Sequence, residues 1–166
     1  MVCNCVADKP TYPQNEEWGP LLWWILHALA GRAGTQSNLL LRGDEQRAWP
    51  LFFKELPMML PCPYCRDHLQ TYQKSHPFAL PTIAGEWNSY VTTYVYDLHE
   101  AVNARIGKPS FPKDDLSNTY SDTKPFPKTF DALEKLVDRA MKQEGVTLFA
   151  WKAWVKQMKM LRATLL

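Results

Sequence analysis

Residues 87–106 read WNSYVTTYVYDLHEAVNARI, and their apolar spacing decides the fold class. Apolar side chains recur three and four positions apart over about five turns, which is the pattern of one buried helical face. The members of this face are Trp87, Val91, Tyr94, Val95, Leu98, Val102 and Ile106. Gly107 and Pro109 follow directly and predict the end of the helix.

The chain before this helix carries three more predicted helices. Residues 16–34 (EEWGPLLWWILHALAGRAG) place leucines at helical spacing and finish in glycines. A second helix is predicted to begin at Asp44 as the N-cap, and the two prolines inside it are expected to bend or segment it. A third begins at Pro63, a favoured first-turn residue, and ends before Pro77.

The chain after Pro109 is predicted to form a loop and then a helical hairpin. Residues 110–127 are rich in Pro, Asp, Ser and Lys, with one short helical turn near 116–120. Two amphipathic blocks follow and turn at Gly145. No run of alternating β-branched residues is found, so the fold is predicted to be all-α. The predicted parts are an N-terminal arm (1–17), a helical core (18–122) and a C-terminal helical extension (123–166).

Composition excludes several classes of protein. At 166 residues with 46% hydrophobic residues, the chain can bury a sizeable core. A formal net charge of +2 gives no electrostatic reason to bind nucleic acid. The N-terminus has no apolar signal region, and residues 18–30 are too short to cross a bilayer. We therefore expect a cytoplasmic chain with no nucleic-acid or membrane partner.

Residues 60–69 read LPCPYCRDHL and carry the chemistry. Cys62 and Cys65 could be half of a zinc site, completed by the Cys3–Cys5 pair or by His68. They could also be the redox pair of a glutaredoxin-like domain, but that motif follows a β-strand, and the residues here are helical. The third possibility is the disulfide of a flavin-linked thiol oxidase, in which the helix N-terminus lowers the pKa of one sulfur.

A flavin needs flat apolar walls and a few polar anchors. Trp23 and His27 lie four residues apart, on one face of the first helix. His99 and Asn103 have the same spacing on the fourth helix, and Lys108 follows as a possible partner for a pyrophosphate. A single histidine on an apolar helix is usually a core residue, but two such pairs favour a cofactor site.

Three segments in order, WGPLLWWILHALA, LPCPYCRDHL and HEAVNARIGKP, resemble the Erv/ALR-type FAD-linked sulfhydryl oxidases. The resemblance covers roughly residues 18–120. It implies a four-helix bundle with a short fifth helix that holds FAD, here followed by a C-terminal helical hairpin. It also implies a homodimer. Glu100 departs from the family pattern, which has Asn at that position.

The resemblance assigns roles by position. Cys65 resembles the cysteine next to the flavin, and Cys62 resembles the cysteine that exchanges with the substrate. The positions that resemble FAD contacts are Trp23, His27, Tyr64, Cys65, His99, Val102, Asn103, Lys108 and Tyr120. No metal ligand is implied.

The implied reaction oxidises dithiol protein substrates, reduces O2 and yields H2O2. Family members often carry a mobile second cysteine pair, so Cys3 and Cys5 are predicted to relay electrons to Cys62. Short forms made by large DNA viruses resemble this chain, which makes the host cytoplasm or the virion an expected setting.

Overall fold

The computed structural model describes residues 12–166, and every regular element within that range is helical. The α-helices are α1 (Asn15–Ala30), α2 (Leu39–Met59), α3 (Pro63–Ser75), α4 (Trp87–Ile106), α5 (Leu116–Tyr120), α6 (Phe126–Lys142) and α7 (Leu148–Leu165). Short 3-10 turns at Ala84–Glu86 and Lys113–Asp115 precede α4 and α5. The all-α prediction is confirmed. None of these helices is both long and apolar enough to span a membrane.

The predicted bounds of α3, α4 and α5 agree with the structure because their end signals are local. Pro63 opens α3 directly after its N-cap, Cys62. Gly107 closes α4 with a φ of 69°, a left-handed conformation that glycine adopts without steric cost.

The predicted start of α2 is wrong by about one and a half turns. The helix begins at Leu39, and the side chain of Asn38 caps it by accepting hydrogen bonds from the backbone N–H groups of Leu40 and Leu41. Asp44 lies inside the helix and pairs with Arg47. Both Asn38 and Asp44 are good capping residues, and the sequence alone did not show which of them begins the helix.

The prolines of α2 do not divide it into separate helices, because α2 runs without interruption through Pro50 and Pro57. A proline in a helix leaves the carbonyl four residues earlier without its donor. For Pro57 that carbonyl belongs to Phe53, and the side-chain Nε2 of Gln73 on α3 donates to it at 2.7 Å. A tertiary hydrogen bond thus replaces the missing helical one.

The C-terminal hairpin packs on the core rather than standing apart from it. Helix α7 lies along α2, and Trp154 packs on Phe52 with ring centroids 5.3 Å apart. Helix α6 lies against α1, where Phe126 meets Trp24 at 6.0 Å. These rings belong to one continuous hydrophobic cluster. The hairpin and the four preceding long helices therefore share one core.

A buried carboxyl fixes the turn between α1 and α2. Oε1 of Glu45 accepts hydrogen bonds from the backbone N–H of Gly34 at 2.7 Å and from Nε1 of Trp49 at 3.0 Å. Gly34 has a φ of 72°, and a Cβ there would collide with the carbonyl oxygen of Ala84. Only glycine fits this close approach.

Candidate active site

The two cysteines of the CxxC motif lie at the N-terminus of α3. Cys62 is the N-cap, and its Sγ accepts a hydrogen bond from the backbone N–H of Cys65 at 3.1 Å. Both are free thiols, partly buried against the hydrophobic core. The structure describes the pair without a bond between the two sulfurs.

The thiol of Cys65 faces the start of α1. Its Sγ donates to Oδ1 of Asn15 over 3.7 Å. Burial raises the pKa of Cys65 to about 12, and the adjacent Cys62 adds to the increase, while Arg105 and Asn15 oppose it. The expected lowering of a cysteine pKa by the helix N-terminus is thus not found at Cys65. In the dithiol form, desolvation and the second sulfur outweigh the helix dipole.

Four aromatic rings from α1, α4 and α5 form a stack. Trp23 lies parallel to His99 with centroids 4.0 Å apart and an interplanar angle of 7°. His27 lies on Tyr120 at 4.5 Å and 17°. A hydrogen bond of 3.0 Å joins Nε2 of His27 to Nδ1 of His99. The structure brings together these four predicted cofactor residues, which we call the ring stack.

Both histidines of the ring stack are held neutral. Burial, and to a lesser extent His99, lowers the pKa of His27 to about 3. Burial also lowers the pKa of His99; Glu100 opposes this and Lys108 adds to it. Neutral imidazoles can share one hydrogen bond as donor and acceptor. The ring stack is therefore uncharged at neutral pH, and it consists of two stacked pairs inclined by 38° at the two histidines.

Three other predicted residues lie in the last turns of α4 or just after it. Asn103 is buried, and its Nδ2 donates to Oε1 of Glu100 at 3.1 Å. The same oxygen accepts from the backbone N–H of Phe111 at 3.1 Å. Glu100 therefore partners the buried amide and ties the loop after α4 to the helix. Val102 is half-buried and Lys108 is exposed.

One stripe along α1 connects the sulfurs with the ring stack. Asn15, Gly19, Trp23 and His27 follow one another at intervals of four, so they lie along one slowly drifting row. The row runs about 18 Å, at 1.5 Å per residue. A Cβ added at Gly19 would meet no atom within 4 Å. Asn15 and Gly19 were not predicted from the sequence, although a helix-interior glycine at helical spacing from Trp23 and His27 was a usable signal.

Some predicted residues lie elsewhere. Tyr64 is 78% exposed and lies outside the ring stack. Cys3 and Cys5 fall outside the described residues. Within residues 12–166, no group of three or more His, Cys, Asp or Glu side chains is arranged to hold a metal, so His68 does not complete a zinc site there.

The fold and the site define a helical-bundle protein with a dithiol at the N-terminus of α3 and a stack of aromatic rings from α1, α4 and α5. A family model described as the Erv1/Alr family matches residues 20–121, which is more than half of the chain. The chain belongs to the Erv1/Alr family.

Three relatives show the range of similarity. A protein of invertebrate iridescent virus 6 with the provisional name FAD-linked sulfhydryl oxidase 347L is 30% identical over 100 residues, 58% of this chain and 85% of the viral protein. Frog virus 3 has a protein provisionally named FAD-linked sulfhydryl oxidase 088R, 27% identical over 92 residues, 55% of this chain and 58% of that protein. The FAD-linked sulfhydryl oxidase ERV1 of Oryza sativa subsp. japonica is 27% identical over 100 residues, 59% of this chain and 46% of that protein. No solved structure gives a significant match.

Proposed function

We propose that the chain is an FAD-dependent thiol oxidase that forms disulfide bonds in dithiol protein substrates and transfers the electrons to O2, giving H2O2. The observation that carries this proposal is the row on α1, with the thiol of Cys65 beside Asn15 at one end and the ring stack at Trp23 and His27 at the other. Membership of the Erv1/Alr family and the names of the relatives support it.

The residues present fit FAD. The ring stack offers flat, uncharged surfaces of the kind that accept an aromatic heterocycle. Gly19 leaves the middle of the α1 row open. Arg105 and Lys108, at the end of α4, supply cations for a pyrophosphate. We propose that Asn103, Val102 and Tyr120 complete the binding site. When bound there, FAD supplies a two-electron acceptor that O2 reoxidises.

The cysteines carry out the thiol chemistry. In the oxidised enzyme, a substrate thiolate attacks Sγ of Cys62, the Cys62–Cys65 bond breaks and Cys65 leaves as a thiolate. The second substrate thiol attacks the mixed disulfide, which releases the substrate disulfide and the Cys62 thiol. The enzyme is left as the dithiol, with two more electrons and two more protons than before. Cys62 is the expected point of attack because Cys65 is directed towards α1.

Absorbance and turnover test the proposal together. The purified protein should be yellow, with a flavin band at about 450 nm, and should produce one H2O2 per two dithiothreitol thiols oxidised. Cys65→Ser should keep the band and lose turnover, because the flavin surfaces remain while the disulfide cannot form. A well-folded, colourless protein that takes up no added FAD would contradict the proposal, and zinc in that preparation would favour a zinc-stabilised interaction module.

We propose, in addition, that Cys3 and Cys5 relay electrons to Cys62. The hydroxyl of Tyr12 donates to the carbonyl oxygen of Pro61, so the described chain begins beside the motif. Seven residues of extended chain reach about 24 Å, which is enough for Cys5 to meet Cys62 of its own subunit.

The double variant Cys3→Ser/Cys5→Ser tests the relay. Its turnover with a protein dithiol should fall several-fold, while turnover with dithiothreitol should stay unchanged, because the small thiol reaches Cys62 directly. Unchanged turnover with both substrates would rule the relay out.

The proposal includes a homodimer in the cytoplasm of a host cell or in a virion, without nucleic-acid or membrane partners. Helix α7 covers one face of α2, so a second subunit that binds α2 has to contact another face of that helix. Leu51 and Met58 lie seven residues apart on one face of α2, are 40% and 42% exposed, and offer an apolar surface, whereas Leu39, 75% exposed, lies at the start of the helix on another face. Sedimentation equilibrium of Leu51→Lys/Met58→Lys against the unchanged chain tests this surface: a dimer that persists in the variant would exclude it.

A further inference from the structure

Arg66, the residue directly after the CxxC motif, is bonded to two distant parts of the chain. Its Nη2 donates to the carbonyl oxygen of Leu60 at 3.0 Å and to that of Gly145 at 2.9 Å. Leu60 lies two residues before Cys62, and Gly145 lies in the turn between α6 and α7. The guanidinium therefore links both flanks of the motif to the C-terminal hairpin.

Tyr12 completes the same cluster. Its hydroxyl donates to the carbonyl oxygen of Pro61, the residue just before Cys62. A Cβ at Gly145 would overlap the phenol ring of Tyr12, so the turn packs on the ring as closely as a backbone can. Arg66 and Cys62 both act on the pKa of Tyr12, which burial raises. The phenol, the guanidinium and the Cys62 sulfur are thus neighbours.

The buried position of Arg66 destabilises the folded chain in one respect. Among residues 12–166, Nε of Arg66 is one of the few buried side-chain nitrogens without a hydrogen-bond partner. An unpaired buried donor on a charged group destabilises the folded state. The turn it contacts also contains Glu144 with a φ of 60°, which is unfavourable for a residue other than glycine.

We propose that Arg66 and Tyr12, together with the α6–α7 turn, are a positioning unit for the redox cysteines: they hold residues 60–62 so that Cys62 stays the N-cap of α3 in the dithiol form. This inference rests on the proposed function. It makes the C-terminal hairpin a part of the catalytic unit, although the family match ends at residue 121.

The direction of the effect follows from the two redox forms. In the disulfide form, the bond to Cys65 holds Cys62 to α3 covalently. In the dithiol form, that bond is absent, and non-covalent contacts alone fix residues 60–62 against α3. Loss of the positioning unit therefore destabilises the dithiol more than the disulfide, and the pair becomes harder to reduce.

The measurement is the anaerobic equilibrium of the full chain with a glutathione redox buffer, read as the mass of the alkylated peptide that contains Cys62 and Cys65. Arg66→Met should lower the equilibrium constant for reduction at least fivefold, which corresponds to about 20 mV for a two-electron couple. Tyr12→Phe, which removes only the hydroxyl, should shift it in the same direction by less. Circular dichroism shows whether each variant is folded.

Gln36→Ala is the matched control, because Nε2 of Gln36 also bonds the hairpin, at the carbonyl oxygen of Thr164 near the far end of α7. It should leave the equilibrium constant unchanged within twofold. A folded Arg66→Met or Tyr12→Phe with the unchanged constant overturns the proposal, as does an equal shift in Gln36→Ala. Yellow colour is scored separately: a flavin-free chain that shows the shift refutes the oxidase alone, and a yellow chain without the shift refutes the positioning unit alone.

Discussion

At the scale of residues, His27 makes the stability of the folded chain depend on pH. Its pKa is about 3 in the folded chain, against about 6.5 in an unfolded one. Below pH 6.5 the unfolded chain therefore binds a proton that the folded chain does not. The contribution of neutral His27 to the free energy of unfolding is complete above about pH 6.5 and is lost as the pH falls towards 3.

We predict that the free energy of unfolding falls between pH 6.5 and pH 4.5, with His27 contributing on the order of 1 kcal/mol per pH unit. His27→Gln should reduce this dependence, since glutamine does not titrate, and leave the part that comes from His99. His76→Gln is the control, because His76 is exposed and lies outside the ring stack. Urea titrations across this pH range make the measurement, and equal slopes in all three chains would contradict it.

Two of the predicted flavin contacts, Trp23 and Tyr64, differ in that only Trp23 belongs to the ring stack. Trp23→Ala removes the indole that lies on His99, and we expect the affinity for FAD to fall at least tenfold, since one flat wall of the site is lost. Tyr64→Ala should change the affinity by less than about twofold, because that side chain points to solvent. Fluorescence titration of the flavin-free chain compares them, and a larger loss for Tyr64→Ala would reverse the assignment.

Residues at helical spacing were predictable from the sequence, whereas their tertiary partners were not. Trp23 and His27 were found because positions four apart share a helix face. Arg66 and Tyr12 were missed because their partners, Gly145 and Pro61, are 79 and 49 positions away. No local pattern encodes such contacts.

At the scale of elements, α2 shows where local rules give way to packing. Its two prolines predicted a bend or a break. The helix is not divided, and at Pro57 a residue of another helix satisfies the freed carbonyl. Gln73 on α3 supplies the donor that Pro57 cannot give to Phe53. A rule that considers only the helix itself could not include that amide.

A double-mutant cycle tests the substitution of one donor for another. Gln73→Ala should destabilise the protein by about 1 kcal/mol, because it leaves the carbonyl of Phe53 unpaired. In the Pro57→Ala background, the restored N–H of residue 57 bonds that carbonyl, so Gln73→Ala should cost markedly less. Urea unfolding of the four chains measures the coupling, and strictly additive losses would show that the two donors are unrelated.

At the scale of the whole molecule, the hairpin and the bundle share one hydrophobic cluster, so we expect them to unfold together. The division at residues 17/18 and 122/123 remains a prediction from composition and resemblance. The hairpin was predicted, but the sequence left open whether the bundle or a second subunit covers its apolar side, because an amphipathic helix does not reveal which neighbour packs on it. The structure places that face on α2 and α1.

Substitution of Trp154 tests whether the hairpin and the bundle unfold together. It is completely buried between Phe52 and Trp151, so Trp154→Ala should cost about 3–5 kcal/mol of unfolding free energy and melt both parts in one transition. Phe149→Ala, on the same helix but 82% exposed, should change stability by less than about 0.5 kcal/mol. Calorimetry with two separate transitions in Trp154→Ala would show that the hairpin unfolds independently.

The row of Asn15, Gly19, Trp23 and His27 on α1 fixes the distance and the angle between the Cys65 sulfur and the ring stack. A helix cannot stretch, and each added residue turns everything beyond it by about 100°. One amino acid inserted between Asn15 and Trp23 would swing the indole and imidazole away from His99 while the sulfurs stayed in place. Insertions and deletions should therefore be tolerated in the loops of this protein and rejected in that segment, whatever their effect on stability.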